Sequence, residues 1–151
     1  MSKHEDADLI LKLYDLRREA TMREARNWFF SFNPTSLQDF IDVLVGDKGA
    51  YYRMVVSYWD MAASLVNHGA IDEQMFHDAN GEHVFVYSKI EPFLAELRAA
   101  FAPQYLEHLE KVVKGIPDLE ARLARMREIM RKFGALREGK ARAAQAAAAE
   151  A

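Results

Sequence analysis

The stretch HVFVYSKIEPFLAEL, residues 83–97, decides the fold. Its opening HVFVY is rich in β-branched and aromatic residues and suits a strand by propensity. Yet Tyr87, Ile90, Phe93, Leu94, Leu97 and then Phe101 continue three and four residues apart, the spacing of one helical face. No other segment offers a convincing strand partner. The stretch therefore reads as a helix perturbed at Pro92, where proline removes a backbone donor.

The same period runs outward in both directions. Upstream, Tyr51, Met54, Val55, Tyr58, Met61, Ala62, Leu65 and Val66 make the most apolar helix of the chain, expected at its centre, with Gly69 as its left-handed cap. Leu9, Leu13, Leu16 and Ala20 mark a first helix expected from about Asp6 to Phe30, ending before Asn33-Pro34. Thr35 and Gln38 resemble a capping box for a short helix through Leu44. Asp72 is a natural N-cap for a helix over residues 73–79, and Asn80-Gly81 reads as a turn. Downstream, Leu106, Leu109 and Val113 lead a helix that stops at Gly115, and Pro117 starts the last one. The expected architecture is all-α: a bundle of about seven helices over residues 1–138, then an Ala-rich tail, 139–151, that has no apolar face and reads as frayed or disordered.

Composition narrows the functional classes. Of 151 residues, half are hydrophobic and 28% charged, which suits a folded domain. No uncharged run reaches the roughly 18 apolar residues of a membrane span. The N-terminal MSKHEDADL carries acids where a signal peptide is apolar, so a cytoplasmic location is expected. The absence of cysteine removes disulfides and thiolate chemistry, and any metal would rest on His, Asp and Glu. The net charge of −3 hides an asymmetry: residues 114–142 hold nine basic and four acidic residues, against eleven and eighteen in residues 1–113.

Residues 58–97, YWDMAASLVNHGAIDEQMFHDANGEHVFVYSKIEPFLAEL, resemble a family of small bacterial proteins classed as a domain of unknown function. Members share Tyr-Trp-Asp-Met-Ala-Ala, then Gly-Ala-Ile-Asp-Glu, Asp-Ala-Asn-Gly-Glu-His and Pro-Phe-Leu. The likeness extends from about Leu13 to Phe133. The resemblance implies a helical fold and carries over no activity, ligand or functional residue. Some relatives carry a membrane segment near the N-terminus, which this chain lacks.

Three constellations offer chemistry. Glu73 and His77 lie four apart on one helical face and, with His83, could chelate a divalent ion. Set against this, Asp72 caps, Gly81 turns, and histidines commonly sit at partly wet helix ends. Arg53, Ser57, Asp60, Ser64 and Asn67 form a polar stripe on the central helix, while Arg17 and Glu24 intrude on the apolar side of the first. An interior Arg17–Asp60 pair would make a binding pocket or a specificity device. In the last helix, Ile116, Leu119, Leu123, Met126, Met130 and Phe133 alternate three and four apart as a coiled-coil-like seam, short enough that packing within the chain is expected ahead of dimerisation. The arginines beside it are interrupted by Glu120 and Glu128 and lack aromatic partners, so they read as a solvated face rather than a nucleic-acid site.

The expected function is a non-catalytic, cytoplasmic interaction or scaffold domain without a cofactor, associating with itself or another protein through Leu119, Leu123, Met126, Met130 and Phe133. The alternative is a small-ligand or divalent-metal-binding protein, an enzyme included, in which Arg17 and Asp60, or Glu73, His77 and His83, form the site.

Overall fold

The computed structural model describes residues 2–151, and local capping chemistry divides them into helices: α1 (Lys3–Leu16), α2 (Ala20–Ser31), α3 (Leu37–Val45), α4 (Gly49–Asn67), α5 (Glu73–Ala79), α6 (Glu82–Ile90), α7 (Leu94–Ala100), α8 (Glu107–Lys114) and α9 (Leu119–Ala149). Among the described residues there is no strand. A 3-10 turn, Glu91–Phe93, joins α6 to α7 without a gap, so the Pro92 perturbation is a tightened turn inside one bent run. Counting that run once gives eight helices among the described residues, one more than the apolar pattern indicates. The extra one comes from the N-terminal segment.

The expected helix from Asp6 to Phe30 is two helices. Glu19 is the cause: its carboxylate accepts from the N–H groups of Thr21 and Met22 at 3.0 and 2.9 Å, capping a new helix in mid-pattern. Those bonds hold the Glu19 carboxyl below the usual carboxylate range. Arg17 ends α1 and Glu24 lies on α2, so the two do not share a helical face; Glu24 instead accepts from the Tyr51 hydroxyl at 2.7 Å. The next cap shifts by one residue. Ser36, rather than Thr35, caps α3 by accepting from Asp39 N–H, while Asp39 accepts from Thr35 N–H at 2.7 Å. Thr35 and Gln38 fit the residue pattern equally well, but the backbone turns at Ser36.

Other boundaries match their local signals. Asp72 caps α5 through the Met75 N–H at 2.8 Å. Gly69 has φ +77°, the left-handed conformation that closes α4, and Ala70 N–H reaches back to the Leu65 carbonyl at 2.9 Å.

Residues Met1–Pro117 and Asp118–Ala151 form two compact units. In the first, α4 is the hub, packed against α2, α3, α5 and α8, while α6 lies on α8 and α1 on α5. Its buried face is Tyr52, Val55, Val56, Trp59, Ala62, Ala63 and Val66. Helix α6 buries His83 through Ser88 and Ile90, nearly its whole circumference. A helix covered on all sides needs no polar face, which is why HVFVY carries so little helical signal. Around it gathers an aromatic cluster: Phe29 meets Phe85 edge to face at 6.2 Å, and Phe32 meets Phe40 likewise at 5.3 Å. The second unit is α9, 31 residues that span about 46 Å at ~1.5 Å per residue and continue through the Ala-rich stretch to Ala149. No helix among the described residues is long and apolar enough to cross a membrane.

Candidate functional site

The polar stripe of α4 opens onto a cavity of about 640 Å³ formed with the α7–α8 connection. Its apolar wall comes from Val56, Leu97, Phe101 and Leu106, and its polar groups are Arg53, Ser57, Asp60, Gln104 and the hydroxyls of Tyr52 and Tyr105. Leu106 precedes α8 with φ +56°, a left-handed conformation that costs a leucine roughly 1–2 kcal/mol. It is only 4% exposed, so burial of its side chain offsets that strain. Leucine cannot cap a helix, and Asp60 does so from α4: its Oδ1 accepts the Leu109 N–H at 2.9 Å, three residues into α8. Asp60 is thus a cap supplied from another helix, with its charge facing the positive end of α8.

The two tyrosines face each other, with hydroxyl oxygens 2.6 Å apart. Burial pushes Tyr105 up to about 12 and raises Tyr52 further still. Both rings therefore keep their protons at neutral pH. Burial also takes Tyr58, whose hydroxyl donates to the Leu13 carbonyl, up to about 12. An unfolded tyrosine loses its proton near pH ~10, where these folded ones retain theirs. The unfolded state then binds fewer protons, so stability is full below pH ~10 and falls as pH rises toward 12. Urea titrations at stepped pH, followed alongside tyrosinate absorbance, should show the midpoint dropping over this window. A midpoint that stays flat to pH 12 would contradict the burial of these hydroxyls.

Arg17 and Asp60 are not brought together. The Arg17 guanidinium lies over the rings of Tyr14 and Trp59, at 5.0 and 5.5 Å. The carboxylate beside that indole is Glu82, which accepts from Trp59 Nε1 at 3.2 Å and takes the Arg26 guanidinium in a fork at 2.7–3.0 Å. Sequence reasoning missed this Arg26–Glu82 pair, though Glu82 in the first turn of α6 is a favoured place for an acid.

At the 68–83 corner, Glu73, His77 and His83 do meet, but as a string. His77 Nδ1 lies 2.9 Å from His83 Nε2, and the other His77 nitrogen, Nε2, lies 3.6 Å from Glu73 Oε1. Partners on opposite edges of one imidazole cannot converge on a single ion. Among the described residues, no group of three or more His, Asp or Glu is placed to hold a metal. Nor is His83 at a wet helix end. It is fully buried, stacked on His77 at 5.1 Å and set against Phe76 at 4.8 Å. The expected corner histidine is a core residue because α6 is an inner helix.

The seam residues Leu119, Leu123, Met126, Met130 and Phe133 all fall on α9, alternating four and three residues apart. Beside Phe133, which is 52% exposed, stand Ile129 and Leu136 at 51% and 69%. These two lie four residues before and three after it, so the apolar strip extends beyond the pattern read from the sequence.

No curated protein and no solved structure matches the chain. A family model matches residues 3–116, beginning earlier than the likeness expected from Leu13 and ending before α9. With that match spanning most of its length, the chain belongs to the family described as "Domain of unknown function (DUF4760)".

Proposed function

We propose that the protein is a non-catalytic, cytoplasmic interaction domain that self-associates through α9. The observation that carries this reading is the exposure of Ile129, Phe133 and Leu136 at helical spacing on a helix that forms a unit of its own. Fully burying such side chains contributes about 1.5–3 kcal/mol each, and a second copy offers a surface to bury them. Charge favours a second copy as the partner. The segment 114–142 carries +5 and residues 1–113 carry −7, so the basic helix of one copy is attracted to the acidic body of the next. Sedimentation of the full chain tests this. Phe133→Glu, at an exposed position, should turn a dimer or larger species into a folded monomer with unchanged circular dichroism. A monomeric parent, or a variant of unchanged mass, defeats the proposal.

A second reading, small-ligand binding, is favoured by the cavity beneath α4. Its volume of about 640 Å³ sits inside the ~300–1,000 Å³ range of ligand pockets, and Asp60 lies in its wall.

A further inference from the structure

The polar groups around the α4 cavity are unevenly spent. Asp60 is engaged by the N-terminus of α8, and the Ser57 hydroxyl donates to the Arg53 carbonyl on its own helix. Within the Tyr52–Tyr105 pair one hydroxyl donates to the other, and the receiving hydroxyl still holds its own proton. No acceptor for that second proton stands among the described residues. Tyr52 is 2% exposed, so the pair sits at the inner end of the site. Arg53, exposed at the mouth, makes no ion pair among the described residues; its guanidinium lies back over Gly49, where an added Cβ would stand 3.2 Å from Nη1. The one carboxylate of the lining, Asp60, is turned to the N-terminus of α8, which leaves the Arg53 cation without a counter-charge and the tyrosine proton without an acceptor beside an apolar wall.

We infer that this cavity binds a small amphipathic carboxylate, its chain or ring lying on Val56, Leu97, Phe101 and Leu106 and its oxygens accepting from Arg53 and the tyrosine pair. The inference rests on the ligand-binding reading and is independent of self-association, since every residue it uses lies on the first unit. The carboxylate answers both unspent donors, whereas an alcohol brings no charge and an amine would set a second cation beside Arg53 with Asp60 already held by α8. Charge-assisted hydrogen bonds are the strong ones, so the head group should dominate selectivity.

Isothermal titration calorimetry of the full chain with decanoate, decan-1-ol and decylamine, each below its aggregation concentration, tests the class and the site together. Decanoate should bind one per chain, at least tenfold tighter than either of the others. Arg53→Gln and Tyr105→Phe should each weaken it about tenfold, the loss of one hydrogen bond to a charged group. Arg53 is on the surface, so its variant folds even where the tyrosine variant is destabilised. Decan-1-ol binding as tightly as decanoate, or decanoate unaffected by Arg53→Gln, overturns the carboxylate assignment while leaving a ligand pocket in place. Failure of all three probes to bind removes the pocket reading along with it.

Discussion

Glu82→Ala lowers the unfolding free energy by about 3 kcal/mol, the largest loss expected from a single charge removal in this protein. The Glu82 side chain is 11% exposed and the Arg26 side chain 25%. The carboxylate serves two donors, the Arg26 fork at 2.7–3.0 Å and the Trp59 indole N–H at 3.2 Å. Hydrogen bonding to Glu82 raises Arg26 above its ordinary value, and even without that partner a guanidinium is too basic to escape its charge by deprotonation. Without Glu82 the guanidinium is left half-buried and unpaired, and the indole, in a side chain 1% exposed, loses its acceptor. Breaking a fully buried pair from one side costs about 3–5 kcal/mol; the exposed quarter of Arg26 places this case at the lower end. Glu82→Gln keeps an oxygen for Trp59 and should lose less. Arg26→Met combined with Glu82→Leu should recover most of the loss, because the stranded charge is what destabilises. Urea unfolding of the four proteins decides it: an alanine variant within 1 kcal/mol of the parent would mean that water already solvates the pair.

Lys89→Met should cost about 2 kcal/mol, although methionine fills nearly the same volume. Lys89 projects from α6 to the C-terminus of α2, where its ammonium donates to the carbonyls of Phe29, Phe30 and Phe32 at 2.8, 3.0 and 2.6 Å. The last carbonyls of a helix lack intrahelical partners and carry its negative end, so a cation here satisfies both needs. The rings of Phe29 and Phe85 flank the ammonium at 5.4 and 4.8 Å and strengthen its hold. Lys89→Arg should not restore full stability, because a planar fork cannot converge on three carbonyls as an ammonium does. Thermal unfolding of both variants is the measurement. An arginine variant as stable as the parent would show that charge alone matters at this position.

Three such pairings escaped the sequence for the same reason. Arg26 and Glu82 are 56 residues apart, Lys89 and Phe29 are 60, and Asp60 and Leu109 are 49. No periodicity links such positions; they meet only because α2 and α8 pack on α4 and α6 lies on α8. The Arg17–Asp60 pairing failed on the same ground. The stripe containing Asp60 was legible in the spacing of α4, but which helix end that stripe would face was not. Glu73 and His77 share a face of α5, which the spacing made legible, but with His83 they do not form a metal-holding group.

The sequence by itself determined the all-helical class, the central place of α4, the caps at Gly69 and Asp72 and the bend at Pro92. The caps and the bend are settled within about one helical turn, where backbone geometry and side-chain reach leave few choices, and the class and the central helix follow from apolar spacing summed along the chain. Its period failed at residues 17–19, where Glu19 restarts the helix without interrupting the apolar spacing. Tertiary structure alone decided which charges pair, which helix Asp60 caps, that His83 lies in the core, and that Tyr52 and Tyr105 meet across a cavity. Those outcomes follow from long-range packing, whose partners are chosen by shape and burial over the whole first unit rather than by neighbours in the chain.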